Sequence, residues 1–153
     1  MPAHENIIGE CSICHRLVLV ISQGQDLNLI HEFKNSYLVL GDHQFFKGYS
    51  VLLLKDHYRE LHDLEGTLQQ ELLSELMKAG KAVFDAFKPW KMNYSCYGNQ
   101  VPHVHWHIFP RYESDPDRLD PPWLSSSKFV LKVGSTQERA EAITAIRAQL
   151  QRE

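Results

Sequence analysis

The pentapeptide His103-Val104-His105-Trp106-His107 carries an imidazole at every second position. Side chains on a strand alternate faces, so the three rings project from one face with neighbours ~6.5–7 Å apart. Val104, Trp106 and Ile108 then face the other way. Three unrelated histidines explain this poorly, because they would repel when protonated and lose hydration if buried. Two chemistries remain. Three imidazoles can hold a metal and leave an open position for water, as in zinc-dependent hydrolases. Rings at i, i+2 and i+4 nevertheless splay along the strand and converge poorly on one tetrahedral ion. Alternatively, one imidazole attacks phosphorus while its neighbours donate hydrogen bonds to the phosphoryl oxygens. A row of donors suits a phosphoryl group better than a point cation. Nor does an acidic residue adjoin the stripe to act as base for a metal-bound water. Isolated histidines such as His4 and His31 read as inert.

Other candidates are less specific. The chain has three cysteines, two of them paired as Cys11-x-x-Cys14. An odd count argues for thiols or a metal clip over a disulfide framework. Asn99 and Gln100, in the loop before the stripe, could donate to an anion or simply form a turn. Gly48 could allow close approach of a ligand or make a turn. Ser95 and Cys96 are poor nucleophile candidates, since one of them must face the core. Trp106 and Trp123 read as packing residues, with Trp123 alternatively reaching a neighbouring subunit's site.

The elements that must position these groups follow from periodicity. Leu27–Phe33, Tyr37–Leu40 and Ser50–Leu54 read as strands, with a turn at Gly41-Asp42-His43-Gln44. From Thr67 to Phe87 the period becomes helical, with Leu68, Leu72, Leu76, Val83 and Phe87 in one stripe beside Leu73, Met77 and Phe84. Thr67 with Gln70 fits a capping box, and Pro89 lies just past the expected stop. Met92 to Cys96 alternates as a strand, and His103 to Phe109 alternates strictly after Pro102. Ser114–Pro122 is expected to be irregular, and Ser135 with Glu138 caps a last amphipathic helix. Strands before and after one long helix predict an α+β fold with a mostly antiparallel sheet.

The chain has 153 residues, 43% of them hydrophobic, which suits one domain with a real core. With 16 basic and 19 acidic residues it lacks the positive surplus of a dedicated nucleic-acid binder. The longest wholly apolar run, Leu17 to Ile21, is far short of the ~20 residues that span a bilayer. With no visible secretory signal at the N-terminus, a soluble cytoplasmic protein is expected.

The run Gln100-Val101-Pro102-His103-Val104-His105-Trp106-His107-Ile108-Phe109-Pro110-Arg111-Tyr112 resembles the His-φ-His-φ-His-φ-φ motif of the histidine triad (HIT) family, φ being apolar. Roughly Glu10 to Tyr112 follows the family's order, through the cysteine pair, a strand pair with an acidic residue, Gly48–Leu54 and Lys55-Asp56-His57. The resemblance implies an α+β HIT-like fold, a homodimer, and a hydrolase or transferase acting on nucleoside phosphoramidates or dinucleoside polyphosphates. It implies that His105 attacks the α-phosphorus to give a nucleotidyl-imidazole. His107 would bind the phosphate and help protonate the leaving group, and Asp42 would accept the ribose hydroxyls of a purine nucleoside. It further implies a structural zinc held by Cys11, Cys14, His57 and His103, with His15 and His62 as competing ligands and no metal needed for catalysis. Three departures fall near the base and phosphate pocket. Asp42 to Gly48 is one residue short, Tyr49 stands where a histidine often follows the glycine, and the approach to the triad is compressed to Gly98-Asn99-Gln100.

The expectation is therefore a single HIT-like domain over residues 1–153, with its core at about 10–112 and a C-terminal loop and helix in 113–153. Its expected function is nucleotide hydrolysis at the α-phosphorus. A zinc-dependent hydrolase built on the stripe, and a non-catalytic nucleotide-binding module, are the competing classes.

Overall fold

The computed structural model describes residues 10–152; His4 lies outside the described residues. Three short elements precede and lead into the sheet: α1 (Ser12–Arg16), a π-helical turn (Leu17–Ile21) and β1 (Leu29–Glu32). Then come β2 (Ser36–Leu40), β3 (Ser50–Leu54), the long helix α2 (Gly66–Phe87), β4 (Lys91–Ser95), β5 (His105–Arg111), a 3-10 segment (Pro122–Leu131) and α3 (Thr136–Leu150). The five strands form one sheet in the order β1-β2-β3-β5-β4, every neighbouring pair antiparallel. This is an α+β fold, as the order of periodicities predicts.

Strand alternation divides the molecule into two sides. Leu38, Leu40, Leu52, Leu54 and Ile108 point to one face, where Leu72, Leu76, Ala79 and Val83 of α2 and Ile143 and Ile146 of α3 bury them. On the opposite face, Val39 and Leu53 pack under Ile13, Leu17 and Ile21 of the N-terminal segment. Further along that face, Phe109 packs with Phe46, Tyr49 and Phe129. His105 and His107 therefore emerge on the side away from α2, between an N-terminal and a C-terminal covering segment.

Three details differ from the sequence reading. The triad strand begins at His105, not His103, because the His103 N–H turns back to Val101 O and its ring is committed elsewhere. Helix α2 starts without a side-chain cap: Glu65 is its N-cap, which places Thr67 inside the first turn. Its apolar residues also divide, since Leu73, Met77 and Phe84 are exposed while Leu72, Leu76 and Val83 are buried. The capping box at Ser135 and Glu138 forms with both reciprocal hydrogen bonds. Pro110 is tolerated in β5 because pairing with β3 ends at Ile108, leaving only β4 beside it. At the other edge, Arg147 donates to the carbonyls of Leu29 and Ile30, so α3 covers β1. No helix among the described residues is long and apolar enough to cross a membrane.

Candidate active site

Each triad histidine is held differently. His103 is fully buried, and its Nε2 donates to Leu54 O at 2.7 Å. Burial keeps this ring neutral by lowering its pKa to about 4, so Nδ1 carries the lone pair. His105 uses Nδ1 to donate to the carbonyl of His103 at 2.6 Å. A carbonyl can only accept, so Nδ1 bears the hydrogen, and the tautomer this selects is the one with Nε2 bare. The Nδ1 of His107 lies 2.6 Å from Tyr49 Oη, and desolvation lowers this ring also to about 4.

His105 and His107, 4.9 Å apart between ring centroids, line a cavity of about 370 Å³. Its other walls are Tyr97, Gly98, Asn99, Gln100, Val101 and Trp123. Gly98, at φ +67°, turns the loop that brings Asn99 and Gln100 there. Trp123 comes from the same chain, stands edge-on to His107 at 4.8 Å and donates its indole N–H to Ser95 Oγ. It is thus a pocket wall, a role that packing alone did not suggest. Trp106 points to the α2 side, and Cys96 is partly buried against that same core.

Asp42 does not line this cavity. It is exposed, while the next residue, His43, turns inward and stacks between Tyr49 at 4.5 Å and Phe129 at 4.0 Å. Gly48, at φ +90°, packs against the Phe87 ring and lies outside the cavity too. It serves a turn.

Behind the triad, Cys11, Cys14, His57 and His103 bring four ligand atoms within 4.8 Å of one another. Cys14 Sγ lies 3.2 Å from His57 Nδ1 and 3.4 Å from His103 Nδ1, Cys11 Sγ lies 3.6 Å from His103 Nδ1, and the two Nδ1 atoms are 3.2 Å apart. A tetrahedral zinc with Zn–N of about 2.0–2.1 Å and Zn–S of about 2.3 Å sets its ligands roughly 3.3–3.8 Å apart. The donor set and spacing fit zinc. Burial, reinforced by Cys11, pushes the metal-free Cys14 thiol up to about 12, so a metal entering here must displace a proton. His15 and His62 are both exposed and outside this group.

Sequence reasoning missed the work of Arg111 and Tyr49. Arg111 follows Pro110 as the motif's trailing pair, and its buried guanidinium bonds Asn93 Oδ1, Asp117 O and Asp120 O while lying over the Phe46 ring. It fastens the irregular loop that delivers Trp123. Tyr49 was visible only as a departure from a motif, with no signal that its hydroxyl reaches His107.

Comparison with known proteins follows the same geometry. The model of the HIT domain matches residues 22–114. No curated protein matches the sequence. A histidine triad protein from Sinorhizobium meliloti 1021 superposes with a TM-score of 0.74 at 20% identity, covering 89% of this chain and 98% of its own. One from Marinobacter aquaeolei VT8 gives 0.72 at 24% identity, covering 88% and 96%. A Zn-bound histidine triad family protein from Mycobacterium smegmatis gives 0.66 at 20% identity, covering 94% and 95%.

Proposed function

Since the chain belongs to the HIT domain family, we propose that it is a nucleotide hydrolase cleaving a nucleoside phosphoramidate or dinucleoside polyphosphate at the α-phosphorus. One observation carries this reading: the 2.6 Å bond from His105 Nδ1 to the His103 carbonyl leaves Nε2 as a bare nucleophile beside a cavity of about 370 Å³. His105 Nε2 attacks phosphorus, and a P–N bond forms as the bond to the leaving group breaks. His107, Asn99 and Gln100 supply hydrogen bonds to the phosphoryl oxygens. Water then attacks the nucleotidyl-imidazole, releasing the nucleoside monophosphate and restoring His105. Tyr97 and Trp123 offer aromatic walls to a purine base.

The zinc-dependent alternative is weaker, because the three Nδ1 atoms serve three different partners: the cysteine cluster, a carbonyl and a tyrosine. We assign Cys11, Cys14, His57 and His103 to a structural zinc. Bound there, the ion would tie the N-terminal segment to the base of the triad. A homodimer is supported by the exposed Leu73, Met77 and Phe84 along α2 beside Trp90 and Tyr94 near edge strand β4. The deciding experiment is incubation with adenosine phosphoramidate and diadenosine polyphosphates, with and without chelator, following AMP release. His105→Ala should abolish release while retaining nucleotide binding. Turnover in that variant within tenfold of wild type refutes the nucleophile, and binding without turnover in wild type establishes the non-catalytic module instead.

A further inference from the structure

Tyr49 occupies a seat built for it. Its ring lies parallel to Phe109, 5° between planes and 4.4 Å between centroids, with His43 stacked on it at 4.5 Å. A Cβ on Gly41 would fall 2.1 Å from the ring, so the absence of a side chain at that position makes the room. The backbone holds the same seat: Gly41 N–H donates to Tyr49 O at 2.8 Å and Tyr49 N–H to Phe46 O at 2.9 Å. The residue is 5% exposed, and its one polar side-chain atom meets His107 Nδ1 at 2.6 Å.

We propose that Tyr49 is a positioning residue that holds neutral His107 in a single tautomer, with Nδ1 accepting and Nε2–H directed to the substrate's phosphoryl oxygens. The proposal rests on the hydrolase reading of the cavity for its consequence, but its geometry is independent of any substrate. A neutral imidazole carries one hydrogen, and a hydroxyl donor at Nδ1 fixes that hydrogen on Nε2. Burial and the neighbouring Asp42 charge push the phenol's pKa up, so Tyr49 keeps its proton and remains the donor. The titratable groups facing His107 are His105, His43 and Tyr49, and the two imidazoles oppose its protonation. Passing the Nε2 proton onward would require Nδ1 to take the Tyr49 proton, leaving a buried phenolate. The pair therefore presents a hydrogen bond and does not relay a proton. This narrows His107 from the leaving-group acid expected of the motif to an oxyanion donor, which suits a polyphosphate departing as an anion and leaves an amine to draw its proton from solvent.

The test is imidazole 15N NMR on the free wild-type protein, with His107 assigned by comparison with a His107→Asn variant. The expected spectrum shows Nε2 protonated and Nδ1 bare. Tyr49→Phe keeps the ring stack and deletes only the hydroxyl. It should spread His107 over both tautomers and lower kcat about tenfold with KM within twofold. A wild-type His107 protonated at Nδ1 overturns the proposal whether or not the variant folds. So does a folded Tyr49→Phe protein with an unchanged tautomer. The expected tautomer in a protein that turns over no nucleotide would support the positioning while refuting the hydrolase reading, so the two failures are separable.

Discussion

Arg111→Met should destabilise the fold by about 3–4 kcal/mol. The side chain is 2% exposed and donates three hydrogen bonds at 2.6–3.0 Å, to Asn93 Oδ1, Asp120 O and Asp117 O, and a longer one at 3.4 Å to the Asp115 carboxylate. Bonds from a charged donor contribute roughly 1.5–3 kcal/mol each, and stripping a partner from a buried charged network costs about 3–5 kcal/mol. Asp120 is exposed, so water recovers part of the loss at its carbonyl once the loop is released. That places the expected value toward the lower end of the range. For 153 residues, an unfolding entropy of about 2.1 cal/mol/K per residue converts 1 kcal/mol into about 3 °C. The melting temperature should therefore fall by about 10 °C in calorimetry, with a change in tryptophan emission as Trp123 loses its place at His107. Arg111→Lys keeps the charge, but a single ammonium cannot span three acceptors, so it should recover less than half of the loss. A shift under 3 °C for Arg111→Met would refute the reasoning. Full recovery by lysine would move the effect from the fork's geometry to its charge.

Other consequences are equally direct. The His43 ring is lowered from 6.5 to about 4 by desolvation, and its Nδ1 is buried without a hydrogen-bond partner among the described residues. The unfolded chain thus binds a proton below pH 6.5 that the fold refuses, so this residue's contribution to stability falls with pH between 6.5 and about 4. His43→Phe should remove that dependence, up to ~1.4 kcal/mol per pH unit, and denaturant melts giving wild type and variant the same change in unfolding free energy between pH 8 and 5 would refute it. Protein purified without added metal should carry close to one zinc per chain and lose thermal stability on chelation. Less than a tenth of an equivalent, with stability unchanged by chelator, rejects the clip. Light scattering should give a dimer mass at micromolar concentration and a monomer for Met77→Asp; a wild-type monomer removes the α2 face as an interface.

Local rules made much of the fold legible. Ser36–Leu40 and Ser50–Leu54 are short apolar runs bounded by turn residues, and Ser135 and Glu138 announce the last helix through one reciprocal pair of bonds. The triad's orientation was legible as well, since alternation alone sends Trp106 and Ile108 toward α2 and His105 and His107 away from it. Alternation failed at His103, where a turn at Pro102 and the pull of Leu54 O and the cysteine pair take the ring out of the strand. The start of α2 misled because Thr67 and Gln70 satisfy a spacing rule two residues too late. Long-range partners left no trace in spacing: Tyr49 meets His107 across 58 residues, and Trp123 reaches Ser95 across 28. Such contacts depend on where strands meet, which no window of sequence contains.

The pocket joins two separate stretches of chain. Its floor, from His105 and His107, lies within the span matched by the family model, whereas Trp123 and the Phe129 that backs it lie beyond residue 114. In the floor, His107 sits in a ladder paired on both sides, to Val51 and to Ser95. A substitution at Trp123 reshapes the opening while leaving every strand bond intact. The residues proposed to carry the chemistry and those that shape the opening therefore lie on separate stretches of chain, so the opening can be altered without touching the triad strand.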